Sequence, residues 1–143
     1  MARVIAVCIS EEKGTPKHPV PEIHLKKGHG IDGDAHAGNW HRQVSLLGVE
    51  SVRKLEAVLP NLTAGAFAEN ILTEGITLYT LPIGTILQIG GTQLQITQIG
   101  KECHAGCAIR KQTGDCVMPR EGVFAVVLQE GCIHPGDSIS VIA

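Results

Sequence analysis

Residues 100 to 122 read GKECHAGCAIRKQTGDCVMPREG and hold three of the five cysteines of the chain. Cys103 is the most promising of them. It follows a strand-like run, and Lys101, His104 and Arg110 lie close to it in sequence. Cationic neighbours favour a thiolate and lower a cysteine pKa. If GCAIRKQ opens a helix, its N-terminal end acts in the same direction. A thiolate there can be a nucleophile, a persulfide carrier or a ligand to a soft metal, and an inert thiol is the plain alternative. Cys103-x3-Cys107-x8-Cys116 matches a metal site only loosely, because structural zinc favours paired C-x2-C knuckles. Cys103 and Cys107 can share a helical face, with Cys116 or His104 completing a set. Cys107 and Cys116 are equally readable as small buried residues.

A second group is the glycine-rich stretch Gly30-x2-Gly33-Asp34-x-His36. Glycines let backbone N–H groups close on an anion. Asp34 can hold such a loop by accepting N–H bonds. His36 and His41 are candidates for a phosphate or ring contact, or are surface residues. Arg42 opens the next strand and can fork onto a phosphate. A third group is Gly65-x3-Glu69-Asn70, where Asn70 either bonds backbone or lines the mouth of a site. Trp40 and Phe67 read as packing residues or a lid. Cys8 and Cys132, in apolar and turn contexts, read as structural.

These groups need elements to position them. MARVIAVCIS suggests a buried first strand over 2–10. EEKGTPKHPVP (11–21) has three prolines and no periodicity, so it reads as a loop. EIHLKKG (22–28) alternates and suits a short strand. GHGIDGDAHAGNWH (28–41) carries four glycines and reads as a long, shaped loop with no regular element; loops of that length are commonly functional. RQVSLL (42–47) reads as a strand. GVESVRKLEAVLP (48–60) has Val49, Val52, Leu55 and Leu59 at helical spacing before Pro60. Thr63-Ala64-Gly65 suggests a helical turn, with a strand near 70–73. LPIGTILQIGGTQLQITQIG (81–100) reads as a hairpin turning at Gly90-Gly91. GVFAVVLQEG (122–131) and GDSISVIA (136–143) complete the set. Six or seven short strands with one clear helix predict a mostly β fold, a small β-barrel with short helical insertions, occupying residues 1–143 as a single domain.

The bulk numbers agree. Of 143 residues 43% are hydrophobic but only 3% aromatic, so the core must be aliphatic. The net charge of −2 comes without a dense basic block, which argues against a nucleic-acid partner. The apolar N-terminus is too short to span a bilayer and has no signal-peptide cleavage site, so no membrane partner is expected and a cytoplasmic location is. A reducing compartment disfavours structural disulfides.

Taken in order, GIDGDAHAG, HRQVSLL, GAFAENILTEGITLYTLPIGTILQIGGTQLQITQIGKECH, GVFAVVL and the closing Gly-Asp resemble the MOSC family, the domain related to the C-terminal part of molybdenum-cofactor sulfurases. The similarity runs from about Lys27 to the C-terminus, and order and spacing carry it more than any single motif. The aminotransferase-like, pyridoxal-phosphate part of the sulfurases is absent from this chain. The resemblance implies a β-barrel and a cleft for molybdenum cofactor (molybdopterin). It also implies one important cysteine, which falls on Cys103, as sulfur carrier or direct molybdenum ligand. Asp34, His36, Arg42, Asn70, Lys101, His104 and Arg110 are then the candidate cofactor contacts. The favoured expectation is a protein that binds the cofactor and carries or transfers sulfur as a Cys103 persulfide, with a cysteine desulfurase or a molybdoenzyme client as partner. Cys107 and Cys116 could resolve that persulfide as a disulfide. Two alternatives stand beside it. One is a molybdenum-dependent reductase of N-hydroxylated substrates, fed electrons by a partner. The other is a zinc-stabilised, non-catalytic binding module.

Overall fold

The structure is a computed structural model, which describes residues 2–12, 17–53, 64–65, 69–100 and 122–142. In chain order the strands are β1 (Arg3–Ile9), β2 (His18–Val20), β3 (Ile23–Lys26), β4 (Gly30–Ile31), β5 (Val44–Gly48), β6 (Ile71–Glu74), β7 (Ile86–Ile89), β8 (Thr92–Ile99), β9 (Val123–Gln129), β10 (Gly131–Ile133) and β11 (Ile139–Val141). Helix α1 spans Val49–Arg53, and a 3-10 turn spans Leu78–Thr80. Eight strands pair in the order β11-β7-β8-β9-β5-β6-β1-β2, and three more in the order β10-β3-β4.

The β7–β8 hairpin forms as its pattern predicts. Leu87 pairs with Leu94 and Ile89 with Thr92, and Leu87, Ile89, Leu94 and Ile96 are all fully buried. Alternation puts these apolar side chains on one face and the intervening Gln residues on the other. Gly90 makes the turn with a φ of 56°. A Cβ there would also approach Asp137 Oδ2 to 2.8 Å, so both the backbone conformation and the space require glycine.

β5 is buried along its whole length. It lies between antiparallel β9 and parallel β6, so both of its faces need cover. Val44 and Leu46 enter the main core with Val4, Ile31, Ile71 and Val123. Leu47 points the other way, into a second cluster with Val52 of α1, Leu72 and Phe124. The short helix is thus a lid on the outer face of the sheet, seated by Val52 with Val49 packed beside it.

The mostly β expectation holds, with a correction on closure. The eight-stranded ladder does not close by continuous pairing. β1 meets the approach to β11 at one antiparallel bridge, Arg3 with Ser138. Backbone bonds from Val4 N to Asp137 O (2.8 Å), Gly136 N to Val4 O (2.7 Å) and Ile139 N to Ala2 O (3.0 Å) flank it. Two further corrections concern segments read as loops. His18–Val20 pairs with β1, Val7 opposite Val20, because the strand edge supplies partners that local sequence does not advertise. Gly30–Ile31 pairs with β3, Leu25 opposite Ile31, so the glycine-rich stretch begins inside a sheet. The helix expected over 48–60 is α1 as far as Arg53; its remainder, like Thr63 and Phe67, lies outside the described residues.

Candidate functional site

The glycine-rich stretch is anchored at both ends before it displays any side chain. Gly30 lies against the backbone of Gln43, where a Cβ would come within 2.9 Å of the Gln43 carbonyl oxygen. Gln43 in turn accepts the Val127 N–H through Oε1 at 3.0 Å, which ties the far end of the stretch to β9.

Asp34 organises the middle. Its side chain is fully buried. Oδ1 accepts the Ser10 N–H (3.1 Å) and Oδ2 accepts the His36 N–H (3.1 Å). A lysine completes its shell: Lys17 Nζ lies 2.7 Å from Oδ1. That ammonium also donates to Ser10 Oγ (3.1 Å) and faces His36 Nδ1 at 3.1 Å. An ammonium has three protons and no acceptor, so all three contacts are donations. Nδ1 of His36 is then the acceptor, and the ring proton sits on Nε2. The sequence reading of Asp34 as a loop-holder describes its geometry; it reaches no solvent.

From His36 a row of rings and cations runs toward β9. Trp40 stacks on His36 with centroids 6.5 Å apart and donates Nε1–H to the His36 carbonyl at 2.8 Å. The Arg42 guanidinium lies 4.7 Å over the Trp40 ring and 5.6 Å from the Phe124 ring. Arg42 Nε is buried and has no hydrogen-bond partner among the described residues. His41 reaches Gln98 Oε1 at 2.8 Å, and Thr97 Oγ1 donates to the His41 carbonyl.

Thr97, Gln98 and Phe124 stand at the end of the β8–β9 pair, where Ile99 opposes Val123. Gly100 N donates to the Gly122 carbonyl at 2.7 Å, one step further along. Residues 101–121 run between those two glycines. Cys103, Lys101, His104, Arg110, Cys107 and Cys116 all fall there and lie outside the described residues. The two ends of their segment, however, lie at the same end of the β8–β9 pair as His41 and Arg42.

Asn70 belongs elsewhere. It is fully buried. Its Oδ1 accepts Ser45 N–H (2.9 Å) and Ser45 Oγ–H (3.1 Å), and its Nδ2 donates to the Cys8 carbonyl (3.1 Å). Of the two readings of this residue, bonding to the backbone is the one the geometry supports. Asn70 pins β1, β5 and the start of β6 together beneath the site.

Lys17 is the residue that sequence reasoning missed. It sits in a proline-broken loop with no periodicity, and nothing local marks a lysine for burial. Its partners come from long range. The backbone N–H of Lys17 donates to Gly65 O (2.9 Å), and Gly65 N–H donates to buried Glu69 Oε2 (2.7 Å). A Cβ on Gly65 would collide with the Lys17 carbonyl. Cys8, also buried, has its thiol pushed up from about 9.0 to about 12. Burial is the main cause, the Glu69 charge adds to it and Lys17 opposes it. Cys8 is therefore a thiol at neutral pH, in line with its structural reading.

The comparisons bear on what this end of the sheet is for. A family model described as the MOSC domain matches residues 32–140. The chain belongs to the MOSC domain family. Among solved structures it resembles the YuaD protein from Bacillus subtilis, with a TM-score of 0.78 and 19% identity, covering 99% of this chain and 96% of that one. It also resembles YiiM from Geobacillus stearothermophilus, with a TM-score of 0.77 and 23% identity over 100% of this chain and 76% of that one. YiiM from Escherichia coli gives a TM-score of 0.66 and 20% identity over 99% and 70% of the two chains. At these identities the likeness is one of fold. No curated protein matches the chain in sequence. Among the described residues no helix is long and apolar enough to cross a membrane.

Proposed function

We propose that the chain acts in the cytosol as a MOSC-domain protein that binds molybdenum cofactor and carries sulfur on Cys103 for a molybdoenzyme client. The family is associated with that cofactor, and the observation that carries the reading here is Arg42. Its guanidinium is held in place by two aromatic faces, yet its buried Nε lacks a partner among the described residues. A buried N–H donor without an acceptor is costly, and a planar guanidinium suits a phosphate oxygen. When bound, the cofactor supplies such a phosphate and a dithiolene-held molybdenum centre that receives sulfur. Arg42 would hold the phosphate, while Lys17 and Asp34 fix the backbone that presents His36 and Trp40. Lys101, His104 and Arg110 are the cationic candidates beside Cys103.

In the sulfur-loading step, the Cys103 thiolate attacks the terminal sulfur of a cysteine persulfide on a desulfurase. A new S–S bond forms on Cys103, the donor S–S bond breaks, and the donor cysteine leaves as thiolate. The sulfane sulfur keeps its oxidation state, so no external oxidant or reductant is needed. Cationic neighbours assist by favouring the attacking thiolate.

Cofactor retention tests the reading. The protein and its Cys103→Ser and Arg42→Gln variants are purified anaerobically from cells that make molybdenum cofactor, then assayed for molybdenum and released pterin. The expected result is pterin in the parent and in Cys103→Ser, with a large loss in Arg42→Gln. A persulfide mass increment should appear on Cys103 after incubation with a desulfurase and cysteine. Pterin kept but molybdenum lost in Cys103→Ser would make Cys103 a metal ligand and favour the reductase alternative. Absence of pterin from all three would overturn both cofactor readings.

A further inference from the structure

The sequence contains two tripeptides of the same form, Glu22-Ile23-His24 and Cys132-Ile133-His134. The fold places them side by side. β3 and β10 are antiparallel, with His24 opposite Cys132 and Ile23 opposite Ile133. Alternation along a strand is strict, so the two isoleucines turn inward together, and both are buried. Glu22, His24, Cys132 and His134 are left on the outer face of the β3–β10 pair.

Their polar atoms converge. Cys132 Sγ lies 3.0 Å from His24 Nδ1. Glu22 Oε2 lies 3.7 Å from His24 Nε2 and 3.2 Å from His134 Nε2. With one ring nitrogen taken for His24, the donor atoms of Glu22, His24 and Cys132 all lie within 4.8 Å of one another. Ligands around a tetrahedral zinc ion at the usual bond lengths sit about 3.5 Å apart. Small rotations of three surface side chains would reach that spacing. The backbone need not move, because the ribbon's hydrogen bonds already fix the register.

We propose that Glu22, His24 and Cys132 form a surface zinc site on the β3–β10 ribbon. One thiolate, one imidazole and one carboxylate are the mixed donor set that suits zinc, whereas magnesium and calcium select oxygen-only shells. His134, beside Glu22 and 3.7 Å from Asp137 Oδ2 through its other ring nitrogen, orients the carboxylate from the second rank. Three protein ligands leave a fourth position for water or a small external ligand. The site clamps the two longer strands of the smaller sheet and is separate in residues from Cys103 and Arg42.

The test is a zinc count on the full-length, reduced, metal-stripped chain, read by competition with a chromophoric chelator. Cys132→Ser and His24→Gln are measured beside the parent. Because other thiols in the chain can also take zinc, the quantity read is the difference. Each variant is expected to bind one equivalent fewer than the parent, with unchanged far-ultraviolet circular dichroism. Cobalt substitution should give a thiolate charge-transfer band that weakens in Cys132→Ser. No zinc uptake by the parent, or an undiminished zinc equivalent in either variant, overturns the proposal. His24 is exposed at its side chain, so His24→Gln keeps the test usable even if the Cys132 variant folds poorly.

Discussion

Lys17 Nζ sits 2.7 Å from Asp34 Oδ1, and neither side chain has any exposed surface. Removing one partner of such a pair strands the other as a buried charge. Lys17→Met should lower unfolding free energy by about 3–5 kcal/mol, measured by urea denaturation. Lys17→Met with Asp34→Asn should recover part of that loss, since no uncompensated charge remains and the amide oxygen is kept as an acceptor for the Ser10 N–H. If the double variant is as unstable as the two single losses added, the pairing is not what these residues contribute.

Asn70 makes a different prediction, one of satisfaction and not of charge. Asn70→Ala leaves the Ser45 N–H without its side-chain acceptor and the Cys8 carbonyl without its side-chain donor. The cost should be about 2–3 kcal/mol. Ser45→Ala keeps the Asn70 bonds to Ser45 N–H and to Cys8, so its cost should be nearer 1 kcal/mol. The ordering of the two midpoints in urea is the check.

Cys8 sets an alkaline limit. Its folded-state pKa, about 12, lies above the ordinary value of about 9.0. Below pH 9 the thiol is protonated in both states and contributes no pH dependence. Between about 9 and 12 the unfolded chain releases that proton and the folded chain keeps it, so stability falls as pH rises. Cys8→Ala should flatten this part of the pH–stability curve. The parent's Cys8 should also resist alkylation under native conditions at pH 8 and react once unfolded.

Arg42 separates binding from stability. Arg42→Gln removes a cation from Trp40 and Phe124 but also removes the buried, unpartnered Nε–H. The net effect on stability should stay within about 1 kcal/mol. Loss of a charge-assisted bond to a phosphate should weaken pterin retention about ten- to a hundredfold. Arg42→Lys should not restore it, because an ammonium lacks the planar fork. Full retention in Arg42→Lys would mean that charge alone is read at this position.

How much of this was legible beforehand depends on whether the cause was local. The β7–β8 hairpin was readable because Gly90-Gly91 interrupts two alternating runs, and β3, β5 and β9 followed from their own apolar patterns. β2 was not, because a His-Pro-Val strand exists only through the edge of β1 that it joins. The same division holds at the site. Asp34 could be read as a loop-holder from its place among glycines. Lys17 could not be read at all, since its three acceptors come from Ser10, Asp34 and His36. The zinc ribbon failed differently. Both x-Ile-His tripeptides were visible, but their meaning depends on a pairing across more than a hundred residues, and Cys132 by itself looked like an ordinary turn cysteine.

The bond between Gly100 and Gly122 carries one more implication. The β8–β9 pairing runs to Ile99 opposite Val123, and the Gly100–Gly122 bond holds the chain together where residues 101–121 begin and end. Closing a chain segment between two points already held together costs only slowly more as the segment lengthens. The entropic cost of closing the chain there therefore depends only weakly on the length of the segment. Adding or removing a few residues in the cysteine-bearing segment should then change the closure cost by only tenths of a kcal/mol, about what the logarithm in segment length gives, so this one rung acts as a clasp that leaves the length of the segment free to vary.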